Sequence, residues 1–158
     1  MLNDYIMLTK SYLKNYASYQ QELQSIDRGI LERKIELQSE PIKIATYGHT
    51  TREGSGELNS TEHAATNRLR LRQEIQVLEC DKSILSGHIE RMKEAVSTLS
   101  EEATELVKMI YIEQRSYKVA SEKLHCSERW CKERTNRAIR DIAVCLFGEK
   151  VKNNIIFV

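Results

Sequence analysis

The chain has 158 residues, with 24 Lys+Arg against 23 Asp+Glu, one proline and six glycines. That length suits one ordinary domain or two small ones, and the scarcity of turn residues excludes sandwiches and barrels. The net charge of +1 excludes nothing by itself, so the composition leaves an all-α chain with no apolar run near the roughly 18 residues of a membrane span.

The first ten residues, MLNDYIMLTK, lack the basic-then-apolar layout of a signal peptide, so the expected location is the cytoplasm and no membrane is expected as a partner. Leu2, Tyr5, Thr9, Tyr12, Tyr16 and Tyr19 open a seam spaced alternately three and four apart that continues to Leu37. This is a heptad pattern held for about five heptads. The tyrosine row serves either as seam packing or as a stacking surface for bases. A second seam runs from Ala64 through Leu71, Leu78 and Leu85 to Leu99. Between them Ser39–Ser60, with Pro41, Gly48, Gly54 and Gly56, reads as a flexible loop, and Asn59 or Ser60 as the cap of the helix that follows. Folded back antiparallel, the two seams pair Leu23 with Leu78 and Ile30 with Leu71, and bring Arg33 against Arg68. Residues 1–98 thus read as a helical hairpin, a coiled coil. Its outer positions Leu13, Leu31 and Ile35 leave packing against a second copy as the expected use of these helices.

Beyond Leu99 the pattern breaks into three shorter helices. Ser100 caps the first, with Glu101 and Glu102 at the positive end of its dipole. Ser116 caps a second, from Tyr117 to Leu124. His125-Cys126 forms a tight turn, and Ser127 caps a third that runs to about Phe147-Gly148. Charge shifts with the pattern: residues 1–114 hold 14 basic and 18 acidic side chains, a net of −4, whereas residues 115–158 hold 10 and 5, a net of +5. The basic end points to a polyanion partner, against the plainer reading of a solvated helix face. Residues 99–150 have the layout of a helix-turn-helix, leaving 151–158 as a tail.

Cysteines 80, 126, 131 and 145 read as free thiols. His125-Cys126 with Cys131 is the nearest approach to a metal set, and without a second ligand pair no metal is expected. No Gly-rich phosphate loop, HExxH or GxSxG is present, so neither a catalytic residue nor a cofactor is expected, and the chain does not read as an enzyme.

Leu99-Ser-Glu-Glu, Val107, Ile110-Tyr111, Ser116-Tyr117-Lys118, Leu124-His-Cys-Ser127 and Arg137-Ala138 together resemble region four of bacterial sigma factors, the helix-turn-helix that reads an upstream promoter element. The whole-chain plan resembles the RinA-like and ArpU-like phage transcriptional regulators, down to Thr61-Glu62-His63-Ala64 after the loop. The resemblance implies a phage or prophage DNA-binding regulator, an activator of late-gene transcription working with host RNA polymerase in the bacterial cytoplasm. Its partner would be double-stranded promoter DNA, with a homodimer through the N-terminal helices or polymerase contact as roles for the hairpin. It also implies the site. Glu128, Arg129, Lys132 and Glu133 match positions that meet bases or phosphates, and Ser127 opens that helix. Arg137 and Arg140, further along, suit phosphate. Ser116, Tyr117 and Lys118 open the preceding helix, where free N–H groups suit a phosphate too. Trp130 is either a groove-side anchor or packing against Leu124 and the turn. Three residues depart from the pattern: His125 stands where Gly is common, Ala120-Ser121 where a large and then a small residue is expected, and Thr135 where a larger apolar one is. Two other readings stay open: a small terminase subunit binding packaging-site DNA, and a coiled-coil adaptor whose basic end binds protein.

Overall fold

The computed structural model describes residues 2–39, 55–148 and 151, with side chains at all of these except 2, 3 and 55–61. Over these residues the chain is all-helical: α1 (Leu2–Lys14), α2 (Tyr16–Ser39), α3 (Ser55–Ser97), α4 (Glu101–Val107) running into a π-helical turn (Lys108–Ile112), α5 (Tyr117–Lys123) and α6 (Glu128–Phe147). No helix among them is long and apolar enough to cross a membrane. The chain divides into two compact units, residues 22–84 and residues 1–21 with 85–158.

In the unit of residues 22–84, α2 and α3 run antiparallel, as their ion pairs show. Asp27 meets Lys82 at 2.6 Å, Arg33 meets Glu74 at 2.8 Å and Glu36 meets Arg70 at 3.9 Å. The register differs from the expected one. Leu78 lies against Gly29, where an added Cβ would sit 3.6 Å from its Cδ1, rather than opposite Leu23. That is a slip of about one heptad, and such a slip keeps every seam residue facing another, so the apolar pattern cannot select between the two. Charge can: the observed register sets Arg33 on Glu74 instead of on Arg68. Arg33, by its hydrogen bond, and Arg70 hold the Glu74 carboxyl below its usual range. The outer faces leave Leu31, Ile35, Leu69, Val77 and Ile84 each more than half exposed.

The expected loop is shorter at its C-terminal end. α3 begins at Ser55, so Asn59 and Ser60 lie inside the helix and do not cap it. Extending a formed helix adds one hydrogen bond per residue, whereas starting one is costly, and neither Asn nor Ser loses more than about 0.7 kcal/mol in a helix interior. Positions 40–54 of that loop lie outside the described residues.

In the other unit the helices close around α6. Leu13, Ala95, Val107, Tyr111, Ile139 and Ile142 form one buried cluster, and Leu106, Met109, Ala120 and Cys131 a second. α4 and its π turn stand between the two, giving Ala103, Val107 and Tyr111 to the first and Leu106 and Met109 to the second. Burial lifts the Tyr111 hydroxyl to about 12, with Tyr117 adding to the effect. α1 is part of this core: Leu13 is fully buried against it, and the Tyr5 and Tyr12 rings lie beside Phe147, the first tilted at 5.1 Å and the second stacked at 6.4 Å. Contacts therefore group the first helix with residues 85–158, which include the end of α3 that the antiparallel hairpin sets opposite it: the Tyr12 and His88 rings lie 6.4 Å apart. The cause is volume: the end of α3, α4 and α6 offer Ala95, Ala103 and Ala138 to this cluster, and such small side chains fill little space without a neighbour's leucine.

Two substitutions test this packing. Leu13→Ala is expected to lower the unfolding free energy by about 2–5 kcal/mol in a denaturant titration, with loss of the α6 core. Thr135 is fully buried and its hydroxyl finds no hydrogen-bond partner among the described residues. Thr135→Val keeps the shape and removes that orphan, so the same titration should show a gain of roughly 1 kcal/mol.

Candidate nucleic-acid interface

The candidate surface is built by three serine caps and one left-handed residue. Ser100 accepts a hydrogen bond from the Ala103 N–H, Ser116 from Val119 and Ser127 from Trp130. Each hydroxyl thereby satisfies an N–H that its helix cannot. Between α5 and α6 the chain reverses at His125, whose φ is 51°, and the Cys126 N–H returns to the Ser121 carbonyl at 3.1 Å. Positive φ is costly for most side chains, and His is one of the better-tolerated exceptions. At the contact of the two helices stand Ala120 and Cys131, both wholly buried. Their small size lets the backbones approach, which is how α5 packs without the large residue expected at position 120. Ser121 is nearly buried too, and its hydroxyl is satisfied by the Lys118 carbonyl at 2.7 Å.

α6 then presents two faces. Cys131, Thr135, Ala138, Ile139 and Ile142 point inward. Arg129, Trp130, Glu133, Arg137 and Arg140 are exposed, and their spacing puts them on the opposite side of the helix. Along this outer stripe Arg129 donates to Glu133 at 3.0 Å, one turn away. Such an exposed pair contributes only about 0.3–0.5 kcal/mol and can open for a better partner. Arg137 and Arg140 have no ion pair among the described residues, nor has Lys118. Lys132 sits at the flank, its ammonium 5.7 Å from the centre of the Tyr117 ring. Trp130 is 39% exposed, so part of it is open to solvent and the larger part is covered.

The expected site residues thus separate into two groups. Arg129, Trp130, Glu133, Arg137 and Arg140 come together on the outer side of α6, Glu128 and Lys132 are exposed away from that stripe near the start of the helix, and Lys118 is exposed on α5. The hydroxyls of Ser116 and Ser127 are engaged as caps, and Tyr117 is half-buried against the second core cluster, so these three shape the surface. Two residues were missed. Asn136 is exposed and falls between Glu133 and Arg140 at three and four residues, a spacing visible in the sequence. Arg134 reaches across to the Ser100 hydroxyl at 3.0 Å, tying α6 to the start of α4, and no sequence pattern signals that contact. No group of His, Cys, Asp or Glu able to hold a metal ion exists among the described residues. No family model, curated protein or solved structure matches the chain.

The left-handed turn gives a direct check on this geometry. His125→Gly removes the Cβ that disfavours positive φ, and is expected to raise stability by up to about 1 kcal/mol. His125→Val, stiff at that position, should lower it, and paired thermal melts of the two variants would show opposite shifts.

Proposed function

We propose that the chain is a sequence-specific DNA-binding transcriptional regulator of phage or prophage origin, a helical hairpin joined to a helix-turn-helix like that of sigma region four. The observation that carries the reading is the outer stripe of α6. It holds cations, a carboxylate and an amide on a rigid helix whose other face is fully packed. A helix of this kind fits the major groove, where Arg donates to guanine N7 and O6, Asn pairs with adenine N6 and N7, and Glu accepts from cytosine N4. Arg129, Glu133 and Asn136 are the candidates for base edges, with Arg137, Arg140 and Lys118 on phosphates. The turn at His125 and the caps at Ser116 and Ser127 support the helix-turn-helix reading, because they fix how α6 leaves α5. The exposed apolar residues of the unit of residues 22–84 support self-association through that hairpin. Late-gene activation with host RNA polymerase rests on the resemblance to phage regulators. In this reading the chain acts by binding, with no catalytic step.

Selection of bound fragments from phage DNA, followed by binding of two variants at two salt concentrations, tests the proposal. Arg129→Ala should cost about 1–3 kcal/mol on the selected site and relax its sequence preference. Arg140→Ala should weaken all sequences alike and reduce the salt dependence by roughly one counterion. A parent protein that binds no DNA at moderate salt, or variants that bind as the parent does, would overturn the reading in favour of a protein-binding adaptor.

A further inference from the structure

The turn that launches α6 also brings two thiols together. The sulfur atoms of Cys126 and Cys131 lie 3.2 Å apart. The reversal at His125 and the return of the Cys126 N–H to Ser121 fold residue 126 back under the first turn of α6, where Cys131 is fully buried. Cys126 itself is partly exposed, whereas Cys80 and Cys145 are exposed and make no sulfur contact among the described residues. We propose that Cys126 and Cys131 form a redox site: a dithiol that closes to an intramolecular disulfide when it meets a small-molecule disulfide such as oxidised glutathione. A disulfide bond is about 2.05 Å long, so closure asks the two sulfurs to approach by roughly 1 Å.

The roles follow from access. Cys126, open to solvent on one side, attacks one glutathione sulfur as its thiolate. The glutathione S–S bond breaks, and the first glutathione leaves as a thiolate that takes up the proton Cys126 released. Cys131, as its thiolate, then attacks the Cys126 sulfur of the mixed disulfide. That bond breaks in turn, and the second glutathione leaves and takes up the proton Cys131 lost. Two protein thiols are oxidised and one glutathione disulfide is reduced to two thiols. Burial pushes the Cys131 thiol up to about 11, with Cys126 adding to the shift, so its thiolate is scarce near neutral pH and the second step is the slower of the two. The site does not depend on whether α6 reads DNA.

The sequence supplies the assay. Arg129 lies between the two cysteines, so trypsin separates them into Leu124–Arg129 and Trp130–Lys132. The folded full-length protein is incubated with oxidised glutathione, its remaining thiols are alkylated, and the digest is read by mass spectrometry. The expected product is those two peptides joined to each other, lighter by two hydrogens than their sum and released by dithiothreitol. In Cys131→Ser, reaction should stop with glutathione on Cys126. If Cys131→Ser fails to fold, the parent digest decides alone. The proposal is overturned if the parent also stops at the glutathione adduct, if Cys126 links to a second chain, or if both cysteines stay free while Cys80 and Cys145 react.

Discussion

Burial of the inner face of α6 is the constraint on which the larger unit depends. Ile139 and Ile142 are wholly shielded from solvent, and no single neighbour accomplishes that. α1 contributes Leu13, the end of α3 contributes Ala95, and α4 contributes Val107. Because α1 and α6 meet in this cluster, the packing of the helix that carries the candidate surface depends on α1. The outer stripe gains its rigidity from the same source, since a packed inner face holds the rotation of the helix about its own axis.

Much of this was legible in the sequence, and the pattern of successes has a physical basis. Capping is local: Ser100, Ser116 and Ser127 were readable because a cap needs only a hydroxyl next to a helix start, and each accepts the expected bond. The seam of the first two helices was readable because burial follows a seven-residue repeat. Tyr5, Tyr12, Tyr16, Tyr19, Leu23 and Ile26 are all partly shielded, and Thr9 and Ile30 are buried. Their register was not readable, since a repeat cannot report its own phase, and the choice fell to charges such as Arg33 and Glu74. The start of α3 was misjudged for a related reason, as Asn59 and Ser60 look like caps yet are tolerated within a helix once it has formed.

What lay beyond the sequence was long-range. Nothing in the neighbourhood of Leu13 says that it will meet Ile142, and nothing near Arg134 points to Ser100, 34 positions earlier. The candidate surface itself shows the same division. Glu128, Arg129, Lys132 and Glu133, chosen by resemblance to sigma region four, are exposed, whereas Tyr117, chosen for its place at a helix start, is partly buried against the core. Composition also explains an oddity of that core: with Ala120 against Cys131, α5 lies close to α6 through small residues, and larger neighbours such as Leu106 and Met109 fill the space behind them.

The π turn at Lys108–Ile112 closes on the bond from the Glu113 N–H to the Lys108 carbonyl, with Arg115 reaching back to Met109. A loop of this width holds one residue more than an ordinary helical turn. It therefore sets the angle at which the helix ends: Tyr111 and Ile112 leave it rotated by a fraction of a revolution from where an ordinary last turn would put them. Removing a single residue here would leave an unbroken helix with sound hydrogen bonding, yet would swing Tyr111 and everything after it around the axis. The two clusters that α4 serves would then compete for the same side chains. A deletion at this place would be tolerated by the backbone and refused by the core.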